Sequence, residues 1–189
     1  MQRTGAAPRT DTRSRVQKVA LELFAEQGYE KTSLREIAER LGVTKAALYY
    51  HFRSKEDIVH SFTDDYFDAI DAVIDWGKAQ PPGDATRREI FDRYISIVLA
   101  GAEVFRFIEQ NRASMQSMDS VKERFGRFRS RLDTMVDLIA GPDGPLRDRV
   151  RAAAALFAAS TTCMHFWGTE TDVDDLRAII FEIATDLTS

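Results

Sequence analysis

The chain has 189 residues, with 26 Lys and Arg against 30 Asp and Glu, and a net charge of −4. This length is sufficient for a substantial core, and the single cysteine, Cys163, excludes an intrachain disulfide and fits a reducing compartment. No stretch is long and apolar enough to cross a bilayer, so secretion and membrane insertion are unsupported and we expect a cytoplasmic protein.

The charge is divided unevenly along the chain. Residues 1–55 carry 11 Lys and Arg against 6 Asp and Glu, whereas residues 56–189 carry 15 against 24. A basic end on an acidic chain favours nucleic-acid binding at that end alone. The basic excess is modest, which counts against a sequence-tolerant architectural DNA binder.

The N-terminus reads as a flexible basic tail over residues 1–11, containing Arg3 and Arg9 and continuing towards Arg13. Such a tail could reach into a minor groove, although we regard simple disorder as the better interpretation. The first helix is predicted from residue 11 or 12 to Gln27, where Gly28 ends it.

The next 26 residues, Thr32 to Asp57, predict two short helices joined by a tight turn. Ser33 and Glu36 form a capping box ahead of an apolar stripe with helical spacing, and Gly42 follows its last apolar residue. Thr44 then caps a second helix. The short connection forces the two helices to cross, which is helix-turn-helix geometry.

The second of these helices carries polar and aromatic residues that suit DNA. Lys45 lies in its first turn, Tyr49 and Tyr50 offer hydroxyls to phosphates and flat faces to sugars or thymine methyls, and Lys55 follows. The alternative is that the tyrosines are core aromatics and Lys55 is a solvated charge. The coincidence of hydroxyl, turn glycine, aromatic pair and lysine favours DNA binding.

Residues 12–60 resemble the DNA-binding domain of the tetracycline-repressor (TetR) family of bacterial transcription regulators. The residues that carry the resemblance are Phe24, Gly28, Thr32, Ile37, Ala38, Gly42, Val43, Leu48, Tyr49, Tyr50, His51, Phe52, Lys55 and Glu56. The resemblance implies DNA contacts from Thr32, Ser33, Thr44, Lys45, Ala46, Tyr49, Tyr50, His51 and Lys55. Ala46 departs from the glycine of many members, which puts the closeness of approach to DNA in doubt.

The rest of the chain predicts further helices, giving an all-α protein of about nine. A long fourth helix from Ser54 to Trp76 links a helix-turn-helix domain at 12–55 to a helical ligand-binding and dimerisation domain at 56–189. Residues 77–85 break the chain, and a capping box of Thr86 with Glu89 opens a fifth helix. Gly101 should separate this helix from a short sixth at 104–109, and residues 111–118 read as a loop.

Three more helices complete the prediction. The seventh opens at Ser120 with Glu123, the turn at 141–145 precedes an eighth from Leu146 to about Trp167, and the ninth follows Asp172. The eighth presents a surface of small residues, namely Ala152, Ala153, Ala154, Ala155, Ala158, Ala159 and Ser160. Together with the apolar face of the ninth helix, this surface predicts a homodimer, although packing within one domain is the alternative.

The middle of the chain is rich in large apolar residues mixed with a few polar ones. The resemblance implies a pocket among the predicted helices five to eight for a small, mostly apolar effector. The candidate lining residues are Tyr94, Phe105, Asn111, Met115, Phe125, Phe128, Phe157, Thr161 and His165. The alternative, for each of these residues separately, is ordinary core packing.

The functional hypothesis is a dimeric repressor that leaves a palindromic operator on double-stranded DNA when the effector binds and displaces the fourth helix. A transcriptional activator of the same fold is the alternative. A small-molecule enzyme is less well supported, because no catalytic triad order, phosphate loop or carboxylate pair is present. His51, His60 and His165 are scattered, so neither a metal site nor a cofactor is expected.

Overall fold

A computed structural model of the chain describes residues 9–111 and 119–189, with side chains at 12–108, 110–111 and 128–189. Over these residues the chain forms eight α-helices and no β-strand, which confirms the all-α prediction. The helices are α1 (Arg9–Gln27), α2 (Leu34–Leu41), α3 (Lys45–His51), α4 (Lys55–Lys78), α5 (Asp84–Gln110), α6 (Asp119–Ala140), α7 (Leu146–Phe166) and α8 (Val173–Leu187).

The first helix begins earlier than predicted. It includes Arg9 and Arg13, which the sequence had assigned to or beside the flexible tail. Residues 1–8, including Arg3, lie outside the described residues, so the minor-groove arm stays a prediction. None of the described helices has both the length and the apolarity that a membrane span requires.

Local capping signals set the ends of α2 and α3 as predicted. The Ser33 hydroxyl accepts a hydrogen bond from the Glu36 amide, and the Glu36 carboxylate accepts one from the Ser33 amide. Gly42 ends α2 with a φ of 72°, a left-handed conformation that glycine adopts without steric cost. Thr44 then caps α3 through a 3.1 Å hydrogen bond from the Ala47 amide. These interactions fix the angle between the two helices.

The buried residues form two clusters. The N-terminal core comprises Val16, Ala20, Leu21, Leu23, Phe24, Tyr29, Leu34, Ile37, Ala38, Leu48, Phe52, Ile58, Val59, Phe62 and Phe107. It therefore includes the first turns of α4, beyond residue 55, and one residue from the end of α5. The C-terminal core is built from α4, α5, α6, α7 and α8. Because α4 and α5 contribute to both, they connect the two cores.

The predicted break at Gly101 is absent, since α5 runs without interruption for 27 residues. Glycine costs only about 1 kcal/mol relative to alanine inside a helix, and packing outweighs that cost here. A Cβ at residue 101 would lie 3.0 Å from the Tyr66 ring, so glycine allows this ring to lie close to α5. Ala102 and Phe107, which follow Gly101 in α5, are buried.

The predicted capping box of Thr86 with Glu89 does not form. The helix α5 already begins at Asp84, and the Thr86 hydroxyl donates to the Pro81 carbonyl at 2.7 Å. Glu89 pairs with Arg93 at 2.8 Å, one turn further along. The residues that look like a cap in the sequence therefore lie inside the first turns of the helix.

Three of the seven small residues of α7 lie inside the protein. Ala152, Ala155 and Ala159 are buried in the C-terminal core, as in the alternative of packing within one domain, whereas the other four are partly or fully exposed. The small size of the buried alanines allows α7 to approach its neighbours within one chain. The turn at 141–145 and the Asp172 cap of α8 are as predicted, with Asp172 accepting from the amides of Asp174 and Asp175 at 2.9 and 3.1 Å.

Candidate nucleic-acid interface and ligand cavity

The helix α3 is fixed to the protein along one side and exposed along the other. Leu48 is fully buried in the N-terminal core, whereas Tyr49 and Tyr50 are 42% and 70% exposed. Lys45 is also exposed, and its ammonium nitrogen lies 5.3 Å from the centroid of the Tyr49 ring. The exposed side of α3 thus presents a cation and two phenols together, which can contact phosphates and base edges.

The remaining residues of this surface continue it towards α4. Thr44 and Ala46 are exposed, and the half-exposed His51 ring meets the Tyr50 ring edge to face at 5.3 Å. Arg53, which the sequence analysis did not single out, is an exposed cation two residues past α3. Its position directly after the helix that is predicted to bind DNA could have identified it from the sequence.

Two of the residues predicted to contact DNA form hydrogen bonds within the protein. Thr32 is only 2% exposed, and its hydroxyl donates to the Gly28 carbonyl at 2.9 Å. Ser33 is exposed, but its amide and its hydroxyl both donate to the Glu36 carboxylate, at 2.8 and 2.7 Å. In this arrangement the side-chain donors of both residues are used within the protein, and their contact with DNA stays a prediction.

Lys55 is half-buried and also has partners within the protein. Its ammonium donates to the Tyr29 carbonyl at 2.6 Å and lies 4.4 Å from the centroid of the Tyr29 ring. These contacts explain a cation in the first turn of α4, which opposes the helix dipole, without any phosphate. Lys55 therefore has partners within the protein, and its contact with a DNA phosphate stays a prediction.

Tyr29 and Glu56 complete this contact between α4 and the loop after α1. The Tyr29 hydroxyl donates to a Glu56 carboxylate oxygen at 3.0 Å. Burial, together with this carboxylate, raises the pKa of Tyr29. Partial desolvation alone would raise the pKa of Glu56, but hydrogen bonds from its own amide, Tyr29 and Ser54 outweigh it and lower the pKa. The pair holds the start of α4 beside the N-terminal core.

A second polar contact joins α1 to α4. The Arg13 guanidinium donates to both Asp65 carboxylate oxygens, at 2.7 and 3.0 Å. Gln17, which is buried, donates to the Ser61 hydroxyl at 2.9 Å and to Asp65 at 2.6 Å. Nothing in the sequence analysis identified this contact, because its partners are separated by 44 to 52 positions.

A cavity of about 390 Å³ lies beside this contact, between α4 and α5. Its described lining residues are Gln17, Phe62, Thr63, Asp65, Tyr66, Ala69, Ser96, Ile97, Ala100, Gly101, Val104, Phe105 and Ile108. We call it the α4–α5 cavity. Of the nine residues predicted to bind an effector, Phe105 is the one found among these.

The other predicted ligand residues do not converge on one site. Tyr94 is fully buried, and its hydroxyl shares a 2.5 Å hydrogen bond with Ser160. Burial is the main reason why the pKa of Tyr94 rises to about 12. Phe157, Thr161 and His165 are exposed on α7, and Phe157 lines, together with the predicted Phe128 of α6, a separate cavity of about 350 Å³ between α6 and α7.

The four other residues of the predicted set lie near the core or outside the described part of the chain. Asn111 donates from its side-chain amide to the Phe107 carbonyl at 2.9 Å. The Phe128 ring packs against Phe67, with centroids 6.1 Å apart. Met115 and the side chain of Phe125 lie outside the described residues. Packing between helices thus accounts for Tyr94 and for the contact of Phe128 with Phe67, whereas Phe157 is exposed.

The geometry of α2 and α3 defines a helix-turn-helix segment, and comparison with known proteins shows which family this segment matches. Residues 17–62 match the family described as "Bacterial regulatory proteins, tetR family". The resemblance of this segment to the tetracycline-repressor family is confirmed. Within the described residues, no group of three or more His, Cys, Asp or Glu side chains could hold a metal ion.

Two curated relatives are similar over the same region. The HTH-type transcriptional regulator AcrR of Shigella flexneri is 50% identical over 48 residues, 25% of this chain and 22% of that protein. The negative transcriptional regulator IcaR of the icaADBC biofilm operon in Staphylococcus aureus strain Newman is 42% identical over 55 residues, 29% of this chain and 30% of that protein. The chain thus matches less than a third of the length of either relative.

Solved structures are similar over nearly the whole chain. A transcriptional regulator from Aquifex aeolicus VF5 gives a TM-score of 0.69 at 20% identity, covering 90% of this chain and 96% of that one. A TetR/AcrR-family regulator from Thermobifida fusca YX-ER1 gives 0.60 at 28% identity, covering 93% and 97%. The two-part helical fold is therefore shared beyond the N-terminal segment.

Proposed function

We propose that this protein is a DNA-binding transcriptional repressor that leaves its operator when a small, mostly apolar molecule binds. The observation that carries the proposal is the exposed side of α3, where Lys45, Tyr49 and Tyr50 lie together on a helix whose opposite side is fixed by Leu48. The negative regulation named for the relative IcaR supports repression rather than activation.

The proposed DNA contacts are the exposed residues of α3 and its flanks. They are Thr44, Lys45, Ala46, Tyr49, Tyr50, His51 and Arg53. Lys55 belongs to this set only if its ammonium contacts a DNA phosphate as well as the Tyr29 carbonyl. Thr32 and Ser33 are left out of this set, because their donors are used within the protein.

The contact set can be tested once an operator has been recovered by selecting bound sequences from random DNA. We expect Lys45→Ala to weaken operator binding and to lower the slope of log affinity against log salt by about one per contacted phosphate. Lys78→Ala removes an equal charge from the exposed far end of α4 and serves as the control. Equal binding by both variants would contradict the assignment of α3.

A homodimer through α7 and α8 is the second part of the proposal. Large apolar side chains are exposed on both helices and would be covered by a second copy, namely Leu146, Val150, Phe157, Met164 and Phe166 on α7, and Val173, Ile179, Ile183 and Leu187 on α8. Exposed apolar patches of this kind mark interfaces. A two-fold dimer could place two α3 helices about one DNA turn, ~35 Å, apart.

The dimer can be tested by measuring mass in solution. Ile179 is 52% exposed, and Ile179→Glu would bring a charge into the proposed interface in both copies. We expect sedimentation to show a monomer for this variant and a dimer for Ala72→Glu, which adds the same charge on an exposed position of α4. A dimer of unchanged stability in both variants would reject α8 as the interface.

A further inference from the structure

The α4–α5 cavity is elongated and apolar along its length. Its α5 wall runs from Ser96 to Ile108, and at 1.5 Å per residue this corresponds to about 18 Å. The α4 wall runs from Phe62 to Ala69 on the opposite side. Because α5 returns antiparallel to α4, one end lies at the N-terminal core and the other lies beside the C-terminal core.

Charge is confined to one side of the cavity. Among the described residues that line it, Asp65 is the only charged side chain, and it lies on the side next to α1, where Gln17 donates to it at 2.6 Å. The Arg13 guanidinium pairs with Asp65 but is not among these lining residues. Ser96 provides a polar group on the α5 wall.

We propose that the α4–α5 cavity binds an elongated apolar molecule with a protonated amine at one end, the amine at Asp65 and the chain between α4 and α5. The apolar walls favour a hydrocarbon chain over a polar one. The Asp65 carboxylate attracts an ammonium, whereas it repels the carboxylate of a fatty acid of equal length.

The ammonium competes with groups that Asp65 already binds. Arg13 and Gln17 both donate to this carboxylate, and both belong to α1, which packs against α2 in the N-terminal core. An ammonium that shares Asp65 weakens the contact between α1 and α4. The effect on operator release rests on the proposed function, but binding in the cavity does not.

The test uses the full chain without DNA and three probes of one chain length, namely decylamine, decan-1-ol and decanoate, each below its micelle concentration at pH 7. Isothermal titration calorimetry should show one site per chain and an amine affinity about tenfold above that of decanoate, equivalent to about 1.4 kcal/mol. Equal affinities for the three probes, or a preference for decanoate, would overturn the proposal.

Substitutions test whether the probes bind in the α4–α5 cavity and whether Asp65 supplies the charge that favours the amine. Ala100→Leu fills the cavity and should abolish binding of all three probes, whereas Ala72→Leu adds the same side chain at an exposed position of α4 outside the lining and should not. Asp65→Asn should bring amine affinity down to that of the alcohol. Arg13→Met should strengthen amine binding by about twofold to fivefold, as expected for loss of an exposed competing ion pair.

These variants also separate the proposal from the proposed function. Unchanged amine binding in Ala100→Leu would place the probe elsewhere and end the cavity assignment, even if Asp65→Asn could not be folded. A gel-shift titration of the operator with decylamine is a separate measurement. Amine binding with the predicted variant pattern but without operator release would count against regulation while leaving this site established.

Discussion

Phe107 belongs to α5 by sequence but to the N-terminal core by contact. It is 5% exposed, its ring stacks on Phe24 with centroids 5.1 Å apart, and it lies 6.1 Å from Tyr29. We predict that Phe107→Ala destabilises the helices that hold the α3 surface more than it destabilises the helices around it in sequence.

The expected size follows from this burial. Replacing a buried phenylalanine by alanine costs about 3–5 kcal/mol through lost transfer free energy and the cavity left behind. Of this cost, about 0.5–1.5 kcal/mol comes from losing the contact between the Phe107 and Phe24 rings. Since whole domains are stable by only about 5–15 kcal/mol, the N-terminal helices should open far more often in this variant.

Native-state hydrogen exchange can locate the effect. We expect amides of α1, α2 and α3 to lose protection in Phe107→Ala, while amides of α7 and α8 keep most of theirs. Phe91→Ala is the matched control, because Phe91 is on the same helix, is fully buried and belongs to the C-terminal core. Indistinguishable exchange patterns for the two variants would refute the assignment of Phe107 to the N-terminal core.

Three further outcomes follow from single residues. Gly42→Ala should lower the free energy of unfolding, measured with urea, by about 1–2 kcal/mol, because residue 42 has a φ of 72°. A Cβ at this position would meet no atom within 4 Å, so the cost comes from the backbone conformation and not from a clash. An unchanged free energy of unfolding would argue against a left-handed conformation at residue 42. Cys163 is buried with its pKa raised to about 11, so a thiol reagent at pH 8 should label native protein about a hundredfold slower than unfolded protein; comparable rates would refute its burial. The pKa values of Glu36 and Glu56 are lowered in the folded state, so both carboxylates stabilise the fold at pH values above about 4.3, the pKa of a glutamate in the unfolded chain. This contribution is lost as the pH falls from that value through the lower pKa of the folded state. In Glu56→Gln the free energy of unfolding should therefore decrease less steeply on acidification, and an unchanged decrease would contradict the lowered pKa of Glu56.

The sequence determined the features whose groups lie within a few residues of one another. The Ser33 capping box, the turn at Gly42 and the Thr44 cap all form as predicted, because their hydrogen bonds join residues at most five positions apart. Lys45 and Tyr49 are exposed, as the DNA-binding interpretation of this helix expected, because Leu48 is the residue of α3 that packs into the core.

Tertiary structure decided the features that depend on surfaces brought together from distant parts of the chain. The close approach of Tyr66 explains why α5 continues through Gly101, and packing against α1 places Phe107 in the N-terminal core. The α4–α5 cavity with Asp65 beside α1 likewise appears only when α1, α4 and α5 meet. Helical periodicity shows that a face is apolar, but the neighbour it packs against, and the space left between them, depend on the arrangement of the whole chain.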